Sequence, residues 1–338
     1  MQAEILAEVL RGDVVESLHR GHIVILDGKG EVISFVGNPN LVTFMRSSAK
    51  PLQVLPFLLS GAAESFDFSD QEIALACASH SGEDRHVRIV EAMLNKIGLD
   101  DSFLQCGAHL PFDEKSAEDL IRNSKLPTQL HNNCSGKHTC MLGLTKHLGA
   151  DLKSYLRLES PAQQAILQVI ADFTETPKDC IRIAVDGCSA PNFAVRILSM
   201  AKAMAKLINP PEDFDMQLRA ACNRVVSAMT RYPELVGGNL RLDTLLMRAC
   251  PEALVSKIGA EGIWLCGILP STSWPLGVAI AMKIEDGDDK RARAVVAIEI
   301  LRQLGILDEN TLHEYSPLPV KNRKDEIVGE VRPCFKLN

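Results

Sequence analysis

No stretch of this chain is apolar for long enough to cross a bilayer. Its most apolar windows, Val54–Ala63 and Val278–Met282, fall well short of the roughly 18 residues a spanning helix needs. Basic runs are equally scarce, with nothing longer than fragments such as Lys321–Lys324, and acidic residues outnumber basic ones 43 to 36 for a net charge of −7. Nucleic-acid backbones and anionic membranes reward clustered Lys and Arg, so neither is an expected partner. The G-x-G-x-x-G and Walker A patterns are missing, which removes the usual sequence support for dinucleotide or nucleoside-triphosphate chemistry. The opening MQAEILAEVLRGD has an acid at its fourth position and no basic region ahead of an apolar stretch. A secretory leader is therefore not expected, and the chain reads as cytoplasmic. No repeat, low-complexity segment or Pro/Gly/Ser linker divides it, so residues 1–338 are expected to form a single catalytic unit.

What is present is an ordinary globular composition: 46% hydrophobic and 23% charged over 338 residues, enough for a sizeable core. Ten cysteines are scattered rather than framed. That favours reduced thiols, most packed as small hydrophobes and one or two available as ligands. The chain opens in strands, at Ala7–Leu10, Val14–His19, His22–Leu26 and Val32–Val36, with Asp27-Gly28-Lys29-Gly30 as a hairpin turn. Helical start signals follow. Ser69-x-x-Glu72 is a capping box, and Ser160-Pro161-x-Gln163 combines an N-cap, a proline at N1 and a glutamine at N3. Arg85–Ile97 and Asp288–Leu304 are helical segments closed by Gly98 and Gly305. Strands return at Ala253–Lys257, Gly262–Leu265, Gly277–Ile284 and Glu326–Arg332. The expected fold is an α/β (α+β) one, with a mixed, largely antiparallel sheet built from both termini and flanked by helices.

Four segments carry more reactive side chains than secondary structure requires. In Arg46-Ser47-Ser48-Ala49-Lys50-Pro51, Ser47 and Lys50 form S-x-x-K where a helix should begin. The three-residue offset places both on one helical face, the spacing of a nucleophilic serine with a lysine partner. To take the serine proton Lys50 must be a neutral amine, which requires burial or a neighbouring cation. Cys77–His86 is a junction crowded with acid–base groups, among them Ser79 and His80; alternatively it is a polar loop capping the next helix through Asp84. Leu130–Cys140 surrounds Gly136 with His131, Asn132, Asn133, Cys134, Lys137 and His138. Backbone amides at that helix start could cradle an anion, and Cys134 with His138 has the i,i+4 spacing of a metal-ligand pair. Val185–Asn192 is a strand end running into a turn, with Asp186 and Cys188. Cys188 could join Cys134 at a soft metal such as zinc, or be an inert buried thiol.

Taken together these blocks resemble the bacterial L-asparaginase II family of the thermolabile or rhizobial type. The likeness runs through Glu16–Gly21, RSSAKP at 46–51, ASHSGE at 78–83, HNNCSGKH at 131–138, DGCSAP at 186–191, Tyr232–Gly238, Lys257–Gly262 and Leu276–Gly287. The TGGT signature of threonine-dependent asparaginases is missing. The resemblance implies two serine–lysine couples, Ser47 with Lys50 and Ser79 with Lys257. It also implies a zinc ion on Cys134, Lys137 and Cys188, an architecture like that of serine β-lactamases and serine-dependent glutaminases, and a homodimer. The implied reaction is hydrolysis of L-asparagine, with Ser47 attacking, Lys50 as base, and the other serine left open as the covalent site. Arg46, His80, Asn133, His138 and Asp186 are the expected substrate contacts. One methylene discriminates by only about 1–3 kcal/mol, so a glutaminase or a penicillin-recognising acyl enzyme stands as the alternative. From another class altogether, a zinc-responsive binding or sensor protein would explain the cysteines but would not need two serines and two lysines.

Overall fold

The computed structural model describes residues 2–337. The chain packs into two compact units. One comprises the residues up to Ser48, Val195–Asn209 and everything from Leu245 on; the other comprises Ala49–Ala194 and Pro210–Thr244.

The first unit is built on an eight-stranded sheet in the order Leu318–Lys321, Ile327–Pro333, Glu4–Arg11, Val14–Asp27, Val278–Ile284, Ile263–Ile268 and Leu254–Ile258, with Val32–Val36 also paired to Val14–Asp27. Neighbouring strands are antiparallel, and the two ends of the chain meet in register, Ala7 opposite Pro333 and Val9 opposite Val331. Ile263–Ile268 and Leu254–Ile258 are buried at every position. Strands covered on both faces lose the hydrophobic alternation of half-exposed ones. The helices Ile197–Ile208 and Ala292–Gln303 pack against this sheet. Two expectations change in detail. Val14–His19 and His22–Leu26 are one strand of 14 residues. Gly21 marks a close backbone approach rather than a break, since a Cβ there would lie 2.3 Å from the Lys283 carbonyl oxygen. Leu318–Lys321, a strand beyond those expected from the sequence, contains Pro319 and lies at the sheet edge, where a missing N–H is tolerated.

The second unit is helical. At its centre Lys50–Leu59 is buried at nine of ten positions and packs against Ser135–His147, Pro161–Thr174 and Met216–Arg231. The Ser69 capping box forms as expected: the Ser69 N–H donates to Glu72 Oε2 at 2.7 Å, and Ser69 Oγ caps the start of Asp70–Ala76. Ser160 caps Pro161–Thr174, but the Gln163 side chain turns away to donate to the Tyr155 carbonyl at 2.9 Å. The helix after the serine loop spans Asp84–Lys96, and its N-cap is Glu83 with His86 three residues on, not Asp84. Among the described residues no helix is long and apolar enough to cross a membrane.

Candidate active site

Lys50 opens the most buried helix of the second unit and is itself only 1% exposed. Its amine meets oxygens alone: Nζ donates to the Ala78 carbonyl, approaches Ser79 Oγ at 3.1 Å, and donates to the Asn133 carbonyl at 3.3 Å. An ammonium can fill all three contacts as a donor. A neutral amine has two protons, which match the two carbonyls, and a lone pair left for the Ser79 hydroxyl proton. The site therefore accommodates either protonation state without rearrangement.

The loop carrying Ser79 is fixed from several sides. The Ser79 N–H donates to the Val236 carbonyl at 2.9 Å, and Ser81 Oγ donates to the Gly237 carbonyl at 2.6 Å. Glu83 accepts from the Asn239 N–H at 3.1 Å and pairs with Arg85. Gly238 has φ +97°, and a Cβ there would come within 2.6 Å of Glu83 Oε1. Only glycine allows this contact without displacing the carboxylate. His80 is fully buried, with Nδ1 on the Gly82 N–H at 3.1 Å and Nε2 on Ser135 Oγ at 2.9 Å, so both ring nitrogens are engaged within the protein.

A second polar cluster sits at the start of Ser135–His147. Cys134 is its N-cap, and Lys137 Nζ donates to Cys188 Sγ at 3.0 Å. The hydrogen bond from the Cys134 thiol holds Cys188 far below the usual thiol range against the effect of burial, with the Lys137 ammonium assisting. Cys134 is correspondingly pushed up, by that same hydrogen bond and by burial. Burial alone would lower Lys137, but Cys188, Cys134 and Asp186 together outweigh it and the net shift is upward. Burial pushes His138 down to about 4. Its Nδ1 meets the Tyr155 hydroxyl at 2.7 Å, and the ring is also a hydrogen-bond partner of the Cys188 side chain, which opposes the effect of burial.

Two thiols and an amine thus converge from separate segments, beside the His138 imidazole, which is itself a hydrogen-bond partner of Cys188. The two sulfurs are donors of the kind zinc takes, whereas an amine is not among its usual ligands. No group of three or more His, Cys, Asp or Glu able to hold a metal occurs among the described residues. Asn133 lies alongside, its Oδ1 3.5 Å from Cys134 Sγ. Asp186 is half-buried in the turn before Cys188 and accepts from the Gly187 N–H at 2.8 Å.

The remaining expected residues belong to the first unit. Arg46 has a left-handed backbone, φ +52°, and lies 3.7 Å from Glu261. Ser47 is half-buried in the 3-10 turn Arg46–Ala49, which runs directly into Lys50–Leu59. Lys257 is fully buried in Leu254–Ile258 and donates to the Ile258 carbonyl at 3.0 Å. Sequence reasoning missed His86, Glu83 and Tyr155. His86 was visible only as the end of an acid–base-rich stretch, and no local signal marks Tyr155.

The chain matches the L-asparaginase II family over residues 7–333. No curated protein matches it. Among solved structures it is similar to a probable glutaminase from Bacillus subtilis complexed with 6-diazo-5-oxo-L-norleucine, at 12% identity over 85% of this chain and 84% of that one, with a TM-score of 0.42. It is also similar to Mglu in its tris and glutamate form, at 18% identity over 87% of this chain and 61% of that one, TM-score 0.39. A β-lactamase from Mycobacterium bovis gives 10% identity over 84% and 94% of the two chains, TM-score 0.45. Because the family match takes in both the serine loop and the thiol cluster, and nearly every residue between the two termini, the chain belongs to the L-asparaginase II family of amidohydrolases.

Proposed function

We propose that this protein hydrolyses L-asparagine to L-aspartate and ammonia through a serine acyl-enzyme, as the thermolabile or rhizobial-type branch of the family. The observation that carries this reading is the buried Lys50 amine held against the Ser79 hydroxyl at 3.1 Å. Ser47 Oγ attacks the side-chain amide carbon and its proton passes to Lys50, which returns it to the departing nitrogen. Ammonia leaves, and water hydrolyses the resulting aspartyl ester by the reverse proton route. Ser79 serves as the hydroxyl through which the proton moves. Its own N–H is committed to the Val236 carbonyl at 2.9 Å, so that amide is not available to hold an oxyanion formed by attack from Ser79. This favours Ser47 as the nucleophile. Lys257 supplies the second cation, and Arg46, Asn133, His138 and Asp186 hold the α-carboxylate and α-ammonium of the substrate.

In this reading Cys134, Lys137 and Cys188 hold one zinc ion per chain, which when bound orients the substrate's polar groups. The protein acts as a cytoplasmic homodimer. Ammonia release from asparagine and from glutamine, with a chromogenic β-lactam alongside, tests the substrate. Ser47→Ala tests the chemistry and should abolish ammonia release while the fold is kept. If the variant retains more than about a tenth of the activity, a loss under about 1.4 kcal/mol, Ser47 is not the nucleophile. Faster turnover of glutamine or of the β-lactam would move the assignment to the corresponding class.

A further inference from the structure

The serine loop is anchored by two histidines that no step of the proposed reaction uses. His80 and His86 are both fully buried, and their rings stack with centroids 5.0 Å apart and planes inclined by 20°. Each Nδ1 accepts a backbone proton from the loop itself, His80 from the Gly82 N–H and His86 from the Glu83 N–H, both at 3.1 Å. An amide N–H can only donate, so both Nδ1 atoms carry lone pairs and the protons sit on Nε2. The opposite ends agree independently. His86 Nε2 faces the Glu234 carbonyl at 2.9 Å, which can only accept. His80 Nε2 faces Ser135 Oγ at 2.9 Å, and that hydroxyl gives its single proton to the Leu130 carbonyl at 3.0 Å.

We propose that the His80–His86 stack is a positioning pair for Ser79, two neutral imidazoles of fixed tautomer that tie the loop's amides to the Ser135 helix start and to the Pro233–Gly237 segment. This rests on the reading that Ser79 takes part in proton transfer with Lys50. The two clamped amides belong to Gly82 and Glu83, the third and fourth residues after Ser79, and movement of about 1 Å at a reacting group can cost about a hundredfold in rate. A proton added to either Nδ1 would collide with the loop N–H directed at it, so the clamp works only while both rings are neutral. Burial holds both below the ordinary histidine range. His80 is faced by His86, Lys50, His109 and Arg241, all of which disfavour a further positive charge; His86 is faced by Arg85 and, in the other sense, by Glu83, Asp113 and the Glu234 carbonyl.

The test combines nitrogen-15 spectra of the histidines with kinetics on the full-length protein. In the wild type both rings should show the Nε2–H tautomer at neutral pH. His86→Phe keeps the stacking surface and loses both hydrogen bonds. It should lower kcat for asparagine by about tenfold or more with KM within about threefold, and the Gly82 and Glu83 amides should exchange about tenfold faster. His86→Asn restores an acceptor where Nδ1 stood and should recover most of the rate. An Nδ1–H tautomer in the wild type, or His86→Phe turning over within about twofold of wild type, overturns the proposal. Should His86→Phe fail to fold, the wild-type spectra and the His86→Asn rate decide. If the protein does not hydrolyse asparagine at all, the functional reading fails, while tautomer and amide exchange still judge the clamp.

Discussion

Two lysines of the helical unit lie almost fully buried, and their surroundings could hardly differ more. Lys50, 1% exposed, meets two carbonyls and a hydroxyl, all uncharged. Lys137, 3% exposed, meets the Cys188 sulfur, whose thiol the Cys134 hydrogen bond holds far below its usual range. An amine facing a thiolate is half of an ion pair, and the pairing favours its proton. An amine facing neutral oxygens has no such counter-charge, and its lone pair, once exposed, points at a serine hydroxyl. The same side chain is thus arranged for proton transfer at one place and for charge pairing or metal coordination at the other.

That contrast breaks most sharply if the two lysines are removed in turn. Lys50→Met should cost about a thousandfold or more in kcat for asparagine hydrolysis, the scale of a lost general base. Lys137→Met should instead lower the zinc content found by metal analysis and raise KM. Equal losses of kcat in the two variants would erase the distinction. Next in size is Ser79→Ala, expected to slow turnover by about ten- to a hundredfold while leaving the circular dichroism spectrum unchanged; a rate equal to wild type would remove Ser79 from the proton route.

Smaller effects sharpen the description of the thiol cluster. Chelation should weaken substrate affinity more than it lowers the maximal rate, and should leave the thermal transition in place. Cys134→Ser and Cys188→Ser should each lose stoichiometric zinc, and full zinc in both would sink the ligand assignment. The smallest effect concerns pH. His80 and His86 are held below the usual histidine value in the folded state, so below about pH 6.5 the unfolded chain binds protons that the folded chain refuses. Their contribution to stability is complete above that pH and declines as pH falls. Melting temperature should therefore drop by a few degrees on going from neutral to mildly acidic buffer, and less so in His86→Asn.

Local chemistry was legible in the sequence wherever the signal was local. The Ser69 capping box, the glycine stops at Gly98 and Gly305, and the strands Val32–Val36 and Val278–Ile284 depend on neighbours within a few residues, and the fold realises them. The sheet from both termini was legible because its strands announce themselves at each end. What could not be read were contacts between distant segments. Lys50 carries a visible S-x-x-K partner three residues away, yet the hydroxyl its amine touches belongs to Ser79. His138 shows the spacing of a metal ligand, but nothing near it in sequence announces the Tyr155 hydroxyl that occupies its Nδ1. A glycine in a strand can signal either a break or a close approach, and at Gly21 only the facing Lys283 carbonyl, distant in sequence, decides between them.

The pairing of Glu4–Arg11 with Ile327–Pro333 has a consequence for how the protein is made. On the ribosome the first strands emerge long before Ile327–Pro333 exists. The helical unit ends at Thr244, so all of its chain is available for packing while the sheet still lacks Leu254–Ile258 and every strand after it. Until the last of these arrives, Glu4–Arg11 can pair with Val14–Asp27 on one side only, and its other side stays an open edge able to join another chain. Synthesis interrupted before Ile327 should therefore yield a product with a folded helical unit and an aggregation-prone N-terminal hairpin.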